Sequence, residues 1–274
     1  MLTRPIPSSN EPLPILGLGT WRAFDIGQER AALEQRKEVL RLLLAAGGRV
    51  IDASPMYGRA EAVVGGLLTE LRARERVFLA TKVWTTGQAA GIAQMQASLV
   101  KLQTSMIDLM QIHNLVDWRT QLATLRAWRE HKKFRYIGIT HYTDAALEEL
   151  GNVICSEPID FVQFAYSLGG RAAERRLLPL CSELGVGVIV NRPFGAGSLF
   201  GQARGKALPA WASELGCAGW SQFFLKYVLG HPAVTCAIPA TSRPEHMRDN
   251  LAAAMGRLPD ADERRRMADY WDQL

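Results

Sequence analysis

Cysteine is scarce in this chain, with four in 274 residues, and Cys155, Cys181, Cys217 and Cys236 lie far apart. There is no C-x-x-C pair and no His/Cys set at metal-ligand spacing, which argues against a disulfide framework, a zinc ribbon or a thiol redox motif. The thiols therefore read as inert groups in a reducing compartment. No apolar run is long enough to span a bilayer. The opening "MLTRPIPSSNEPLP" lacks the apolar core of a secretory signal, so a cytoplasmic protein is expected. The net charge of +5 would suit an anionic partner, yet the longest basic run, "ERRRMADYW", mixes acid with base and reads as a solvated helix face. Neither nucleic acid nor membrane is expected as a partner. Several catalytic signatures are also missing. "GLGTWR" begins like a dinucleotide fingerprint but lacks its last glycine, and "GQARGKA" is one residue short of a P-loop and ends in alanine. No G-x-S-x-G elbow occurs.

What is present is a regular alternation. Apolar residues make up 48% of the chain, enough to bury a sizeable core. They fall in short runs, each followed by a helical stripe: "ILGLGTW", "RVIDAS", "RVFLATKVW", "MIDLMQIHN", "FRYIGITHY", "DFVQFAYS", "VGVIVNRP" and "VTCAIPAT". Residues 29–46 give the first stripe, and "DADERRRMADYW" gives a closing helix. "TDAALEELG" offers a threonine cap at its start, and "ERRLLPLCSELG" ends on a glycine suited to a helix C-terminus. Continuous apolar strands separated by amphipathic helices mean a parallel sheet covered on both faces. Eight such units predict an α/β protein, a single-domain (β/α)₈ TIM barrel over 1–274, better than an open doubly wound sheet. No linker divides the chain.

A barrel puts chemistry at the C-terminal ends of its strands. Asp52 and Tyr57 follow the second strand, Lys82 closes the third and His113 the fourth. Each alone has an ordinary explanation as a cap, a packing group or a solvated charge. Together, at one end of three consecutive strands, they make a coherent set. A tyrosine holds its proton at neutral pH and can pass it to a developing alkoxide. A neighbouring ammonium favours the phenolate, Asp52 would hold that ammonium in place, and His113 can donate a hydrogen bond to a substrate oxygen. Such a site protonates an oxygen, so the electrons must come from elsewhere. A hydride from a nicotinamide fits that gap.

On "IDASPMYG", "ATKVW", "DLMQIHN", "YIGITHY", "FVQF" and "IPATSRPEHMRDN", the sequence resembles the aldo-keto reductases over nearly its whole length. The resemblance implies a (β/α)₈ barrel that reduces aldehydes and ketones, with Asp52, Tyr57, Lys82 and His113 as the catalytic tetrad and Tyr57 as the general acid. It implies NADPH as cofactor, with NADH as the alternative, and a monomer acting on a small carbonyl compound. Cofactor contacts are implied at Gly19, Thr20, Trp21, Asp52, Thr140, His141, Gln163, Asn191, Arg192, Pro193, Gly195, Gly197, Thr241, Arg243, His246 and Asn250.

Several of these positions depart from the family pattern. Thr140-His141 stands where a Ser-Asn pair usually holds the nicotinamide amide, with Gln163 beside it. Asn191 replaces the aromatic ring that often stacks on the nicotinamide. Arg192 can then lie over that ring or reach the diphosphate, and the stretch from Gly195 to Gly201 can wrap the phosphates. Ala240-Thr241 and His246 replace the usual phosphate cations, leaving Arg243 to supply the fixed charge at a helix start. Asn250 keeps the adenine contact. Trp21, Trp84 and Trp118 follow strand ends and, with His113, are expected to line an apolar substrate pocket. A nicotinamide-binding redox sensor and a lyase or isomerase of phosphorylated sugars are the rival readings on the same barrel.

Overall fold

In a computed structural model describing residues 1–274, ten strands and ten α-helices follow one another along the chain. A hairpin, β1 (Thr3–Pro5) and β2 (Pro12–Pro14), precedes the barrel. The eight barrel strands are β3 (Leu18–Gly19), β4 (Val50–Asp52), β5 (Phe78–Val83), β6 (Ile107–His113), β7 (Phe134–Thr140), β8 (Phe161–Ala165), β9 (Gly187–Asn191) and β10 (Cys236–Ala237). They pair in parallel, in chain order. The seam between first and last is closed by bridges from Leu16 to Ala237 and from Gly19 to Ala240, so the expected eight-fold barrel is present. The seam is two isolated bridges and not a continuous ladder because Pro239, between them, has no N–H to donate across it.

The helices form the outer ring: α1 (Arg30–Ala45), α2 (Ala60–Glu70), α3 (Gln88–Lys101), α4 (Trp118–Glu130), α5 (Leu147–Ser156), α6 (Leu177–Leu184), α7 (Ser198–Gln202), α8 (Trp220–Leu229), α9 (Pro244–Ala253) and α10 (Ala261–Asp272). Gly185 ends α6 in the left-handed conformation, as its position suggested. The threonine cap does not form. Thr143 bonds instead to His141 Nδ1, at 3.1 Å from its hydroxyl, and a 3₁₀ turn over Asp144–Ala146 delays α5 to Leu147. The glycine-rich stretch after β9 is not a bare loop, since it carries α7 and 3₁₀ turns over Gly195–Gly197 and Ala210–Leu215.

Two apolar cores follow from strand alternation. Outward residues such as Leu79, Ile112 and Val162 join the helices in one large cluster. Inward residues Phe78, Leu109, Tyr136, Phe161 and Ile189 fill the barrel, with Ile6 and Leu13 of the hairpin beneath them. The rings of Phe78, Tyr136 and Phe161 pack with centroids 5.6–6.0 Å apart. Continuing each inward series towards the strand ends replaces apolar side chains with polar ones: Val50 gives way to Asp52, Ala80 to Lys82, Leu109 to Gln111 and His113, and Phe161 to Gln163. Gly138 leaves room for this layer; a Cβ there would lie 3.0 Å from Gln111 Cγ and 2.9 Å from the Phe161 carbonyl. No helix is long and apolar enough to cross a membrane.

Candidate active site

Asp52 is the hub of the polar layer. Its Oδ2 accepts from Lys82 Nζ at 2.6 Å, and its Oδ1 accepts from the side-chain amides of Gln111 and Gln163, both at 3.0 Å. Lys82, wholly buried, also donates to the Ala53 carbonyl at 2.8 Å. Burial opposes the charge on Lys82, but Asp52 and Tyr57 outweigh it and raise its pKa. The ammonium lies 5.0 Å from the centre of the Tyr57 ring. Burial raises the Tyr57 pKa; Lys82 pulls the other way without reversing the shift, so the phenol keeps its proton at neutral pH.

His113 meets Tyr57 edge to face, with centroids 5.8 Å apart. Burial, then the charge of Lys82, pushes its pKa down to about 3, so the ring is neutral. Its Nδ1 lies 3.0 Å from Ser54 Oγ, which itself accepts from the Met56 N–H at 3.2 Å. The Ser54 hydroxyl can donate to Nδ1, and in that tautomer the ring proton sits on Nε2.

These groups open into a cavity of about 460 Å³ at the C-terminal mouth of the barrel. Of the residues singled out from the sequence, Gly19, Thr20, Trp21, Asp52, Tyr57, His113, Thr140, Gln163, Asn191, Arg192, Pro193 and Gly197 line it. Lys82 lies beneath, behind Asp52. Thr140 Oγ1 donates to Gln163 Oε1 at 3.3 Å, Asn191 Nδ2 lies 3.4 Å from the same oxygen, and Asn191 Oδ1 is buried without a partner. This corner of hydroxyl and amide groups fits a planar carboxamide, whose NH₂ would satisfy the orphaned oxygen.

Other expected contacts lie off the cavity. His141 stacks on Tyr142, with planes 12° apart, and its Nδ1 is taken by Thr143. Trp84 is 41% exposed, 6.2 Å from the His113 ring, and Trp118 packs on the outer core under the Arg119 guanidinium. Gly195 starts the 3₁₀ turn after β9. Thr241 and Asn250 are buried near α9, whose first residue follows Arg243. The Arg243 side chain is held by Glu245, with its Nε donating at 2.6 Å, while His246 is exposed. Residues not anticipated also line the cavity: Arg22, Met56, Asn114, Tyr142, Ala196, Phe194, Phe200, Ile238 and Ala240. Ser54 and Gln111 could have been found, since each lies two positions from a chosen residue and therefore on the same inward face.

The fold and this layer define a (β/α)₈ barrel with a buried carboxylate–ammonium pair under a protonated phenol and a neutral imidazole. The model of the aldo/keto reductase family matches residues 15–267, and the chain belongs to that family and is an oxidoreductase. It is 31% identical over 265 residues to the methylglyoxal reductase YeaE of Escherichia coli, covering 93% of this chain and 90% of that one. An aldo-keto reductase from Klebsiella pneumoniae solved with NADPH superposes with a TM-score of 0.83 at 27% identity, covering 99% of this chain and 96% of the other. A second Klebsiella pneumoniae structure, with NADP and acetate, gives 0.81 at 27% identity, covering 96% and 93%.

Proposed function

We propose that this protein reduces an aldehyde or ketone to the alcohol, using NADPH, with Tyr57 as proton donor. The observation that carries the reading is the placement of a protonated phenol between a buried ammonium and a neutral imidazole at the mouth of an apolar cavity. NADPH, when bound, supplies a hydride to the carbonyl carbon. Thr140, Gln163 and Asn191 would hold its carboxamide, the turn through Gly195 and Gly197 its phosphates, and Arg243 with Thr241 its 2′-phosphate.

His113 Nε2–H donates to the carbonyl oxygen and fixes its position. Tyr57 gives that oxygen a proton as negative charge gathers on it. The phenolate left behind faces the Lys82 ammonium, whose charge Asp52 fixes in place, so Lys82 stabilises the product of proton transfer more than its start. Asp52, held by Gln111 and Gln163 as well, cannot swing away when Tyr57 ionises. The rings of Trp21, Tyr142, Phe194 and Phe200 line the cavity and suit an organic carbonyl compound over a fully hydrated sugar. The likeness to a methylglyoxal reductase and to structures solved with NADP and NADPH supports the same chemistry. Three of the four cysteines are buried and all are unpaired, in keeping with work in the cytoplasm.

The test is NADPH oxidation by the pure protein across a panel of aldehydes and ketones, beside NADPH binding followed by fluorescence. Turnover with carbonyl-dependent stoichiometry is expected. Tight binding without turnover on any carbonyl would replace this reading with that of a redox sensor.

A further inference from the structure

The mouth of the cavity carries charge that proton transfer does not use. Asp52 is the one carboxylate lining the cavity, and Lys82 neutralises it. Two cations line the same cavity, Arg22 and Arg192, and neither has a carboxylate partner. Both hold non-glycine backbones in the left-handed region, at φ 58° and 49°. Such conformations persist where the surroundings over-determine them, and they cluster at ligand sites.

Arg192 is the better placed of the two. It follows Asn191 at the end of β9, and its guanidinium carbon lies 4.1 Å from the centre of the Tyr142 ring and 5.5 Å from that of Trp21. The two aromatic faces hold a planar cation in one orientation while leaving its edge N–H groups unspent. Arg192 and Tyr57 line the same cavity, and the arginine's charge favours the Tyr57 phenolate. Arg22, against Trp21 at 4.4 Å, is exposed and adds positive potential at the entrance. A half-buried guanidinium with free donors, clamped by aromatic rings at the edge of the cavity, is a recognition element for a planar oxyanion.

We propose that Arg192 selects carbonyl substrates that carry a carboxylate, holding the carboxylate in its fork while the carbonyl lies against Tyr57 and His113. The inference rests on the carbonyl-reductase reading and narrows its substrate class to oxo acids and carboxylate-bearing aldehydes. A neutral isostere enters the same cavity but leaves the guanidinium unpaired.

The experiment compares 4-carboxybenzaldehyde with 4-nitrobenzaldehyde, which matches it in shape and lacks the charge. Values of kcat/KM are measured for wild type, Arg192→Met and Arg192→Lys, with the NADPH Kd of each. Taking the ratio of the two substrates cancels any general loss of activity in a variant. Arg192→Met should lower the carboxylate-to-nitro ratio roughly 10- to 100-fold, the range for a charge-assisted hydrogen bond, and Arg192→Lys should restore part of it. An unchanged ratio overturns the proposal. So does a ratio that stays put while the NADPH Kd rises tenfold, because Arg192 would then serve the cofactor phosphates. If wild type reduces no carbonyl of the wider panel, the carbonyl-reductase reading falls and this inference with it; if it reduces other carbonyls but not 4-carboxybenzaldehyde, or the ratio ignores Arg192, only the carboxylate assignment fails.

Discussion

Asp52→Asn isolates the electrostatic hub from the proton donor. Asparagine has nearly the shape of aspartate but one acceptor where the carboxylate had two. With its oxygen towards Gln111 and Gln163, its NH₂ faces the Lys82 ammonium; turned round, the NH₂ faces two amide donors. In the first orientation Lys82 keeps only the Ala53 carbonyl as a buried acceptor, and in the second it keeps a neutral amide oxygen in place of the carboxylate while two buried amide donors lose theirs. Removing one member of a buried pair costs about 3–5 kcal/mol. The ammonium has one escape, which is to lose its proton. From a reference pKa of about 10.4, that costs about 1.4 kcal/mol per pH unit, or close to 5 kcal/mol at pH ~7 and little more than 1 kcal/mol at pH ~9.5. The signs in the two proteins are opposite. In wild type the Lys82 pKa is raised, so its stabilisation is complete below about pH 10.4 and is lost as pH rises through the folded value. In the variant its folded pKa is depressed, so stability climbs with pH up to about 10.4. Urea unfolding followed by the fluorescence of the seven tryptophans should show a loss of about 3–5 kcal/mol near pH 7 that shrinks by half or more near pH 9.5. A loss below about 1 kcal/mol, or one equal at both pH values, would mean that Asp52 is not what keeps Lys82 charged in the core.

His113 is held neutral, so its pKa of about 3 makes the unfolded chain bind the extra proton between about pH 6.5 and 3, and stability falls as pH drops through that window. His113→Gln should flatten that part of the stability profile by up to about 1.4 kcal/mol per pH unit between pH ~6.5 and ~4, measured against wild type in urea titrations. Glu245→Gln should release Arg243 from its ion pair and lower the KM for NADPH while leaving that for NADH within about twofold; equal changes in both would remove Arg243 from the 2′-phosphate. Gly65→Ala places a methyl 2.7 Å from the Leu102 backbone, where α2 crosses the end of α3, and should cost about 1–3 kcal/mol in thermal or urea unfolding; a neutral result would mean the two helices part freely.

The barrel was legible because parallel strands buried on both faces leave apolar runs that polar connections punctuate. "RVFLATKVW" and "MIDLMQIHN" became β5 and β6 with Lys82 and His113 at their inward ends. The hairpin beneath the barrel was not legible, since Pro5, Pro12 and Pro14 argue against strands, and only an isolated two-stranded ribbon tolerates them. That Asp52, Tyr57, Lys82 and His113 meet at one end of the barrel was readable residue by residue, but Gln111 was passed over because a glutamine inside an apolar run carries no chemistry of its own. It matters through Asp52, 59 residues away. The cavity wall was harder still. Trp84 and Trp118 carried the right chemistry at strand ends but do not line the cavity, while Tyr142 comes in from the segment after β7 and Phe200 from the short helix α7, whose paths local pattern does not determine. The arginine at 192 was visible in sequence, but its aromatic clamp joins residues from three separate strand ends.

The central claim is that the Tyr57 phenol supplies the proton, and the most direct test is the single-turnover rate of Tyr57→Phe with NADPH and a saturating aldehyde, beside wild type. Removing only the hydroxyl leaves the ring against His113 and the Asp52–Lys82 pair beneath it. A fall of at least ~10²-fold in the rate of reduction is expected, with NADPH still bound. A variant that reduces the aldehyde within a few-fold of wild type would mean that the proton comes from elsewhere.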